Sequence, residues 1–167
     1  MDQFISTLGR SGHALLIDCR SLGYEHIPIP EGISVVVCDT RKRRGLVDSK
    51  YNERRRECER GVALLSKRLP QVRALRDVTL RQLEAYANDL PELILKRCRH
   101  VVTENERVVR MVDSLRRGDL AEVGRQMALS HLSLRDDYAV SCTELDAMAE
   151  AAQGTQGTIG ARMTGAG

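Results

Sequence analysis

The sequence predicts an α+β fold, and three observations carry that prediction. Apolar, β-branched runs crowd into the first 38 residues of the 167. From residue 48 onward apolar residues recur at helical spacing instead. The two patterns follow one another rather than alternate, which favours an antiparallel sheet followed by helices over repeated βαβ units.

The elements read as follows. Residues 1–8 suit a short stretch of helix, too brief to be stable alone. His13-Ala14-Leu15-Leu16-Ile17-Asp18-Cys19 is a compact strand signal. Residues 25–30 alternate around two prolines, which suits an edge strand or a bend. Ile33-Ser34-Val35-Val36-Val37-Cys38 is β-branched and continuous, the pattern of a buried third strand. Asp48 or Ser49 is placed to cap the first long helix, whose Cys58, Val62, Leu65 and Leu69 share a face and end before Pro70. A shorter helix is predicted over residues 79–90, with Leu80, Leu83 and Tyr86 or Ala87 on one side. The longest follows Pro91. Its stripe is Ile94, Cys98, Val101, Val108, Val112 and Leu115, interrupted by Asn105 and ended by Gly118. Asn105 is expected to be a hydrogen-bonded core residue. Asp119 caps a further helix with Leu120, Val123 and Met127, and residues 142–152 form the last. The tail, residues 153–167, reads either as a Gly/Thr-rich linker or, over 158–163, as a strand entering a glycine turn.

Composition narrows the functional classes. Aromatics are 3% of the chain, with no Trp and one Phe, so base stacking on aromatic platforms is not expected, and no nucleic-acid partner is. The net charge is +3. The one dense basic run, Arg41-Lys42-Arg43-Arg44, is either a solvated turn or a contact to phosphate. The five cysteines are odd in number, widely spaced and contain no CxxC pair, so they read mostly as small core residues in a reducing, cytoplasmic setting. No run approaches the roughly 18 apolar residues of a membrane span, and no signal-peptide pattern opens the chain. His131, Arg135, Asp136 and Asp137 form a tempting cluster, but their spacing matches no metal-ligand motif. A turn or cap at Asp136 or Asp137, with His131 hydrogen-bonded inside the fold, is the better reading.

Several colinear segments resemble the galactokinases of the GHMP small-molecule kinase superfamily. Met1-Asp2-Gln3-Phe4 matches that family's MDQF segment, and Gly12-His13-Ala14-Leu15-Leu16-Ile17-Asp18-Cys19-Arg20-Ser21-Leu22 the strand after it. Ser49-Lys50-Tyr51-Asn52-Glu53-Arg54-Arg55 resembles its S-x-Y-N-x-R-R. Arg99-His100-Val101-Val102 and Ser130-His131-Leu132-Ser133-Leu134-Arg135-Asp136-Asp137-Tyr138 are similarly close, and residues 160–167 match the start of the third superfamily motif. Two family motifs, the G-E-H-T-D-Y sugar signature and the P-x-G-x-G-L-S-S-S-A phosphate loop, do not occur here, and the third motif's F-G-G-C continuation is not reached. Gln156 stands where the family usually has Pro. The resemblance therefore implies a fragment truncated at both ends. Residues 1–45 would be the end of the N-terminal kinase domain with its linking strands, and 46–167 most of the C-terminal GHMP domain.

The resemblance also implies an activity and a site. The family is an ATP-dependent sugar kinase that moves the γ-phosphoryl group of ATP to O1 of galactose. Asp2 matches its catalytic carboxylate, positioned for the O1 proton, and also contacts substrate. Tyr51 matches a sugar-contacting tyrosine; read alone, it would pack at a helix start, and the two roles are compatible. Arg43 is the choice from the basic run for nucleotide phosphate. Gly165 and Gly167 match a glycine turn lying against the nucleotide. Galactose and ATP are the expected partners. Mg2+ is expected with ligands outside this sequence, so no metal residue is assigned. Alternatives are another sugar 1-kinase, acting on N-acetylgalactosamine or arabinose, or a non-catalytic regulatory homologue that binds galactose and ATP. The chain alone is expected to be inactive, because reactant positioning needs both halves of the site, and to self-associate through exposed apolar surface.

Overall fold

In the computed structural model, which describes residues 2–42 and 50–165, the strand signals resolve into one antiparallel hairpin. β1 (His13–Ile17) pairs with β2 (Tyr24–Pro28), His13 opposite Pro28 and Ile17 opposite Tyr24. Asp18 shapes the connection: its carboxylate accepts the backbone N–H groups of Arg20 and Ser21 at 2.8 and 3.0 Å. The short helix α1 (Asp2–Leu8) precedes the hairpin and rests on it. Phe4 meets the Tyr24 ring edge-on at 6.3 Å, and His26 Nε2 donates to the Leu8 carbonyl at 2.7 Å.

The expected third strand is not there. Residues 33–38 join no ladder, and Val35, Val36 and Val37 are 78%, 77% and 85% exposed. A β-branched run favours extended backbone, but a strand also needs a neighbour for its N–H and C=O groups. Among the described residues no sheet edge reaches this run.

The helical region follows the sequence more closely. The helices are α2 (Tyr51–Leu65), α3 (Leu80–Ala85), α4 (Glu92–Arg117), α5 (Leu120–Asp136) and α6 (Thr143–Gln153). The caps expected at Asp48 and Ser49 lie outside the described residues. Helix α2 stops at Leu65, short of Leu69, which packs at the edge of the core. Helix α3 starts in a capping box, Thr79 Oγ1 accepting from Gln82 N while Gln82 Oε1 accepts from Thr79 N. Helix α4 ends at Gly118 with φ of 68°, the left-handed cap that glycine adopts without strain. Asp119 caps α5 by accepting from Glu122 N at 3.0 Å.

The core sits between α2, α3 and α4 and the loops joining them. Leu65, Val72, Leu75, Leu83, Ile94 and Cys98 are its centre. Helices α2 and α4 touch at Gly61, where a Cβ would stand 2.2 Å from Cys98 Sγ; only glycine lets them come this close. Of the cysteines, Cys98 is buried as expected, Cys58 and Cys142 are half-buried, and Cys19 and Cys38 are exposed, so the core reading holds for only part of the set. All five thiols are free. No described helix is long and apolar enough to cross a membrane.

Two further expectations fail, one along α4 and one in the tail. Along the 26-residue α4, Asn105 and Val108 are exposed rather than buried, although Val112 and Ser114 beyond them are buried. The tail is neither linker nor strand. Residues 158–163 have no ladder partner, yet Met163 is only 3% exposed and Gly160 lies against Gly124 of α5.

Candidate active site

A cleft of about 1090 Å3 opens between the hairpin, α2 and the second half of α4. Leu16 and Tyr24 form one wall; Tyr51 and Cys58 of α2 form another; Asn105 and Val108 of α4 form the third. The exposed face of α4 is thus a cleft wall. Residues 101, 105, 108 and 109 recur at the spacing that keeps one helix face together.

Ion pairs hold the hairpin in place over the helices. Arg76 grips Asp18 with its two terminal guanidinium nitrogens at 2.9 and 2.7 Å, and Arg20 donates to Asp77 at 2.8 Å. Hydrogen bonds from Arg76 and from Arg20 keep the Asp18 and Asp77 carboxyls well below the usual carboxylate range. Arg116 of α4 reaches Glu25 of β2 at 2.5 Å. These groups face solvent, so they set orientation more than stability.

Tyr138 lines the cleft and belongs to a buried polar network. Its ring stacks on His100 at 4.4 Å, and burial pushes its phenol pKa up. Arg54, 3% exposed, donates to the Tyr138 carbonyl at 2.6 Å and to Glu57 at 2.6 Å. Arg97 donates to the same Glu57 oxygen at 2.9 Å and to the Asp137 carbonyl. Burial alone would raise the Glu57 pKa; hydrogen bonds from Arg97 and Arg54 outweigh it and hold the carboxyl low. One carboxylate between two guanidinium groups thereby locks α2, α4 and the turn at 137–139 together.

The residues expected to act are placed unevenly. Tyr51, 61% exposed, opens α2 at the cleft. Asp2 opens α1, whose Phe4 abuts the cleft residue Tyr24. Gly165 has φ of 85°, so the turn there favours glycine, but it does not line the described cleft. Arg43 and Gly167 lie outside the described residues. Of the basic run, Lys42 pairs with Glu144 at 2.5 Å. The cluster around His131 is structural, as the sequence suggests. His131 is buried, Asp137 caps α5 and accepts from Ser133 Oγ at 2.8 Å, and Arg135 pairs with Asp136. Sequence reasoning misses the Arg54–Glu57–Arg97 network, because nothing in a charged helix tells which arginine turns inward. Its one available signal was Arg54 inside the Tyr51 motif.

The geometry now meets its relatives. A family model described as "GHMP kinases C terminal" matches residues 111–167. The chain is 50% identical over all 167 residues to a galactokinase of Chloroflexus aggregans and 49% identical to one of Roseiflexus sp.. It matches the C-terminal part of the galactokinases. Its fold agrees with the Lactococcus lactis galactokinase solved with galactose, at a TM-score of 0.88 and 36% identity over 99% of the chain. The chain spans 43% of the length of each of these galactokinases.

Proposed function

We propose that this chain supplies the C-terminal part of an ATP-dependent galactose 1-kinase. The observation that carries the reading is the colinear likeness to galactokinases over the whole chain, with Tyr51 opening a helix at the cleft. In this reading Asp2 accepts the O1 proton of galactose as O1 attacks the γ-phosphorus and the bond to the ADP oxygen breaks. The Tyr51 hydroxyl fixes the sugar, and its ring covers an apolar face of the pyranose. Arg43, Gly165 and Gly167 take the nucleotide side: a guanidinium for phosphate, and glycines for close backbone approach. Galactose is the acceptor ahead of N-acetylgalactosamine or arabinose. The cytoplasm is the compartment, since it supplies ATP and keeps five free thiols reduced.

Mg2+ would serve to neutralise phosphate charge. Among the described residues no three His, Cys, Asp or Glu side chains come together to hold an ion, so no ligand is assigned and no step is drawn through the metal. The 167-residue chain alone is expected to make no galactose 1-phosphate, because the cleft needs a partner half to hold both reactants.

The test is Asp2→Asn in a full-length galactokinase that includes these residues. Loss of a positioned proton acceptor is expected to lower kcat by about 100-fold or more. An unchanged kcat would overturn the assignment. Binding of galactose and ATP without any turnover in the unaltered enzyme would favour the regulatory homologue instead.

A further inference from the structure

We propose that His131 and Glu104 are positioning residues for the glycine turn at Gly165, acting as a clamp that fixes the tail on α4 and α5. The tail has no strand to hold it, so its path must come from other contacts. Four are present. Gly160 seats on Gly124, where a Cβ on either residue would collide: 2.8 Å from Gly124 Cα in one case, 1.9 Å from the Ile159 carbonyl in the other. The Arg162 guanidinium reaches Glu104 Oε1 at 3.1 Å. That carboxylate is itself fixed by Ser130 Oγ at 2.6 Å and Arg107 Nε at 2.7 Å. Lastly, the Met163 N–H donates to His131 Nδ1 at 3.2 Å.

The last contact specifies the state of the imidazole. An Nδ1 that accepts carries no proton, so the ring's hydrogen sits on Nε2, 3.3 Å from Asp146 Oδ1. Asp146 is held in turn by Ser141 Oγ at 2.5 Å. His131 thus spans α6 and the tail, using one nitrogen for each. Met163 lies two residues before the left-handed Gly165, which leaves the turn little freedom to wander. The clamp stands on these contacts; its consequence for ATP rests on the proposed nucleotide-facing role of Gly165.

The experiment compares three variants in a full-length galactokinase containing this sequence, by amide exchange over residues 158–165 and by steady-state kinetics. His131→Phe removes the acceptor and is expected to speed exchange there by about fivefold or more, as for a lost hydrogen bond. His131→Asn puts an oxygen near the place of Nδ1 and is expected to restore protection; His131→Gln puts one near Nε2 and is not. Unchanged exchange in His131→Phe, or equal rescue by Gln and Asn, would overturn the clamp. A rise of about fivefold in KM for ATP, with kcat little changed, is expected alongside. Faster exchange with unchanged KM would support the clamp and overturn the nucleotide-facing reading of Gly165.

Discussion

The α2–α4 core and the hairpin region are held by different kinds of force. Between α2 and α4 the Cys98 thiol seats against the Gly61 backbone, apolar side chains fill the space, and a half-buried carboxylate is shared by two arginines. The hairpin rests on α1 through Phe4 and Tyr24, buries Ile27 of β2, and is otherwise tied down by ion pairs at its turn, Asp18 with Arg76 and Arg20 with Asp77. Close packing responds to a single methylene; exposed charge pairs tolerate most changes and respond to salt. The first region should therefore behave as a rigid platform, and the turn end of the second as the part of the cleft wall most sensitive to salt.

Substitutions sharpen that contrast in graded steps. The largest effect belongs to the core. Leu83, fully buried, changed to Ala should cost about 2–5 kcal/mol in urea unfolding. Arg97→Met comes next: it leaves the half-buried Glu57 with one partner fewer, at a cost of about 3 kcal/mol. A loss under about 0.5 kcal/mol for either would break the comparison, since surface substitutions fall in that range.

Acid should act on the helical side as well. Burial lowers the His100 pKa to about 4 from an ordinary 6.5. The unfolded chain then binds more protons than the folded one between those values, so stability falls as pH drops from about 6.5 toward 4. The slope should approach about 1.4 kcal/mol per pH unit within that window, and His100→Asn should flatten it. The smallest effect is expected at the hairpin. Asp18→Asn should shift Tm slightly at low salt and not measurably in 1 M salt, where screening shortens to about 3 Å. Separately, Val36→Lys should leave Tm unchanged while reducing self-association in light scattering, because that side chain is already in water.

What the sequence disclosed follows the same divide. Helices α4 and α5 were legible because their signals are local, Pro91 with Gly118 and Asp119 each lying within a turn of what they define, whereas the helix read over 79–90 ends already at Ala85. Residues 33–38 were misread because burial of a strand depends on a neighbour that lies elsewhere. Asn105 was misread for a related reason: periodicity marks one face of α4 but not which part of that face a neighbour covers and which part opens to a cleft. In the candidate site, Tyr51 was found through its motif. The Arg54–Glu57–Arg97 lock was not, since inward-turned charges look like surface charges until the fold pairs them. The tail's anchorage was invisible because it depends on residue pairs 32 to 58 positions apart.

The seat of Gly160 on Gly124 limits how this segment is able to diverge. A methyl on Gly160 would meet the Gly124 backbone and one on Gly124 would meet the Ile159 carbonyl, so either addition lifts the chain end from its bed unless the facing backbone retreats too. Substitution at either codon is therefore blocked by backbone, which no change of a neighbouring side chain relieves.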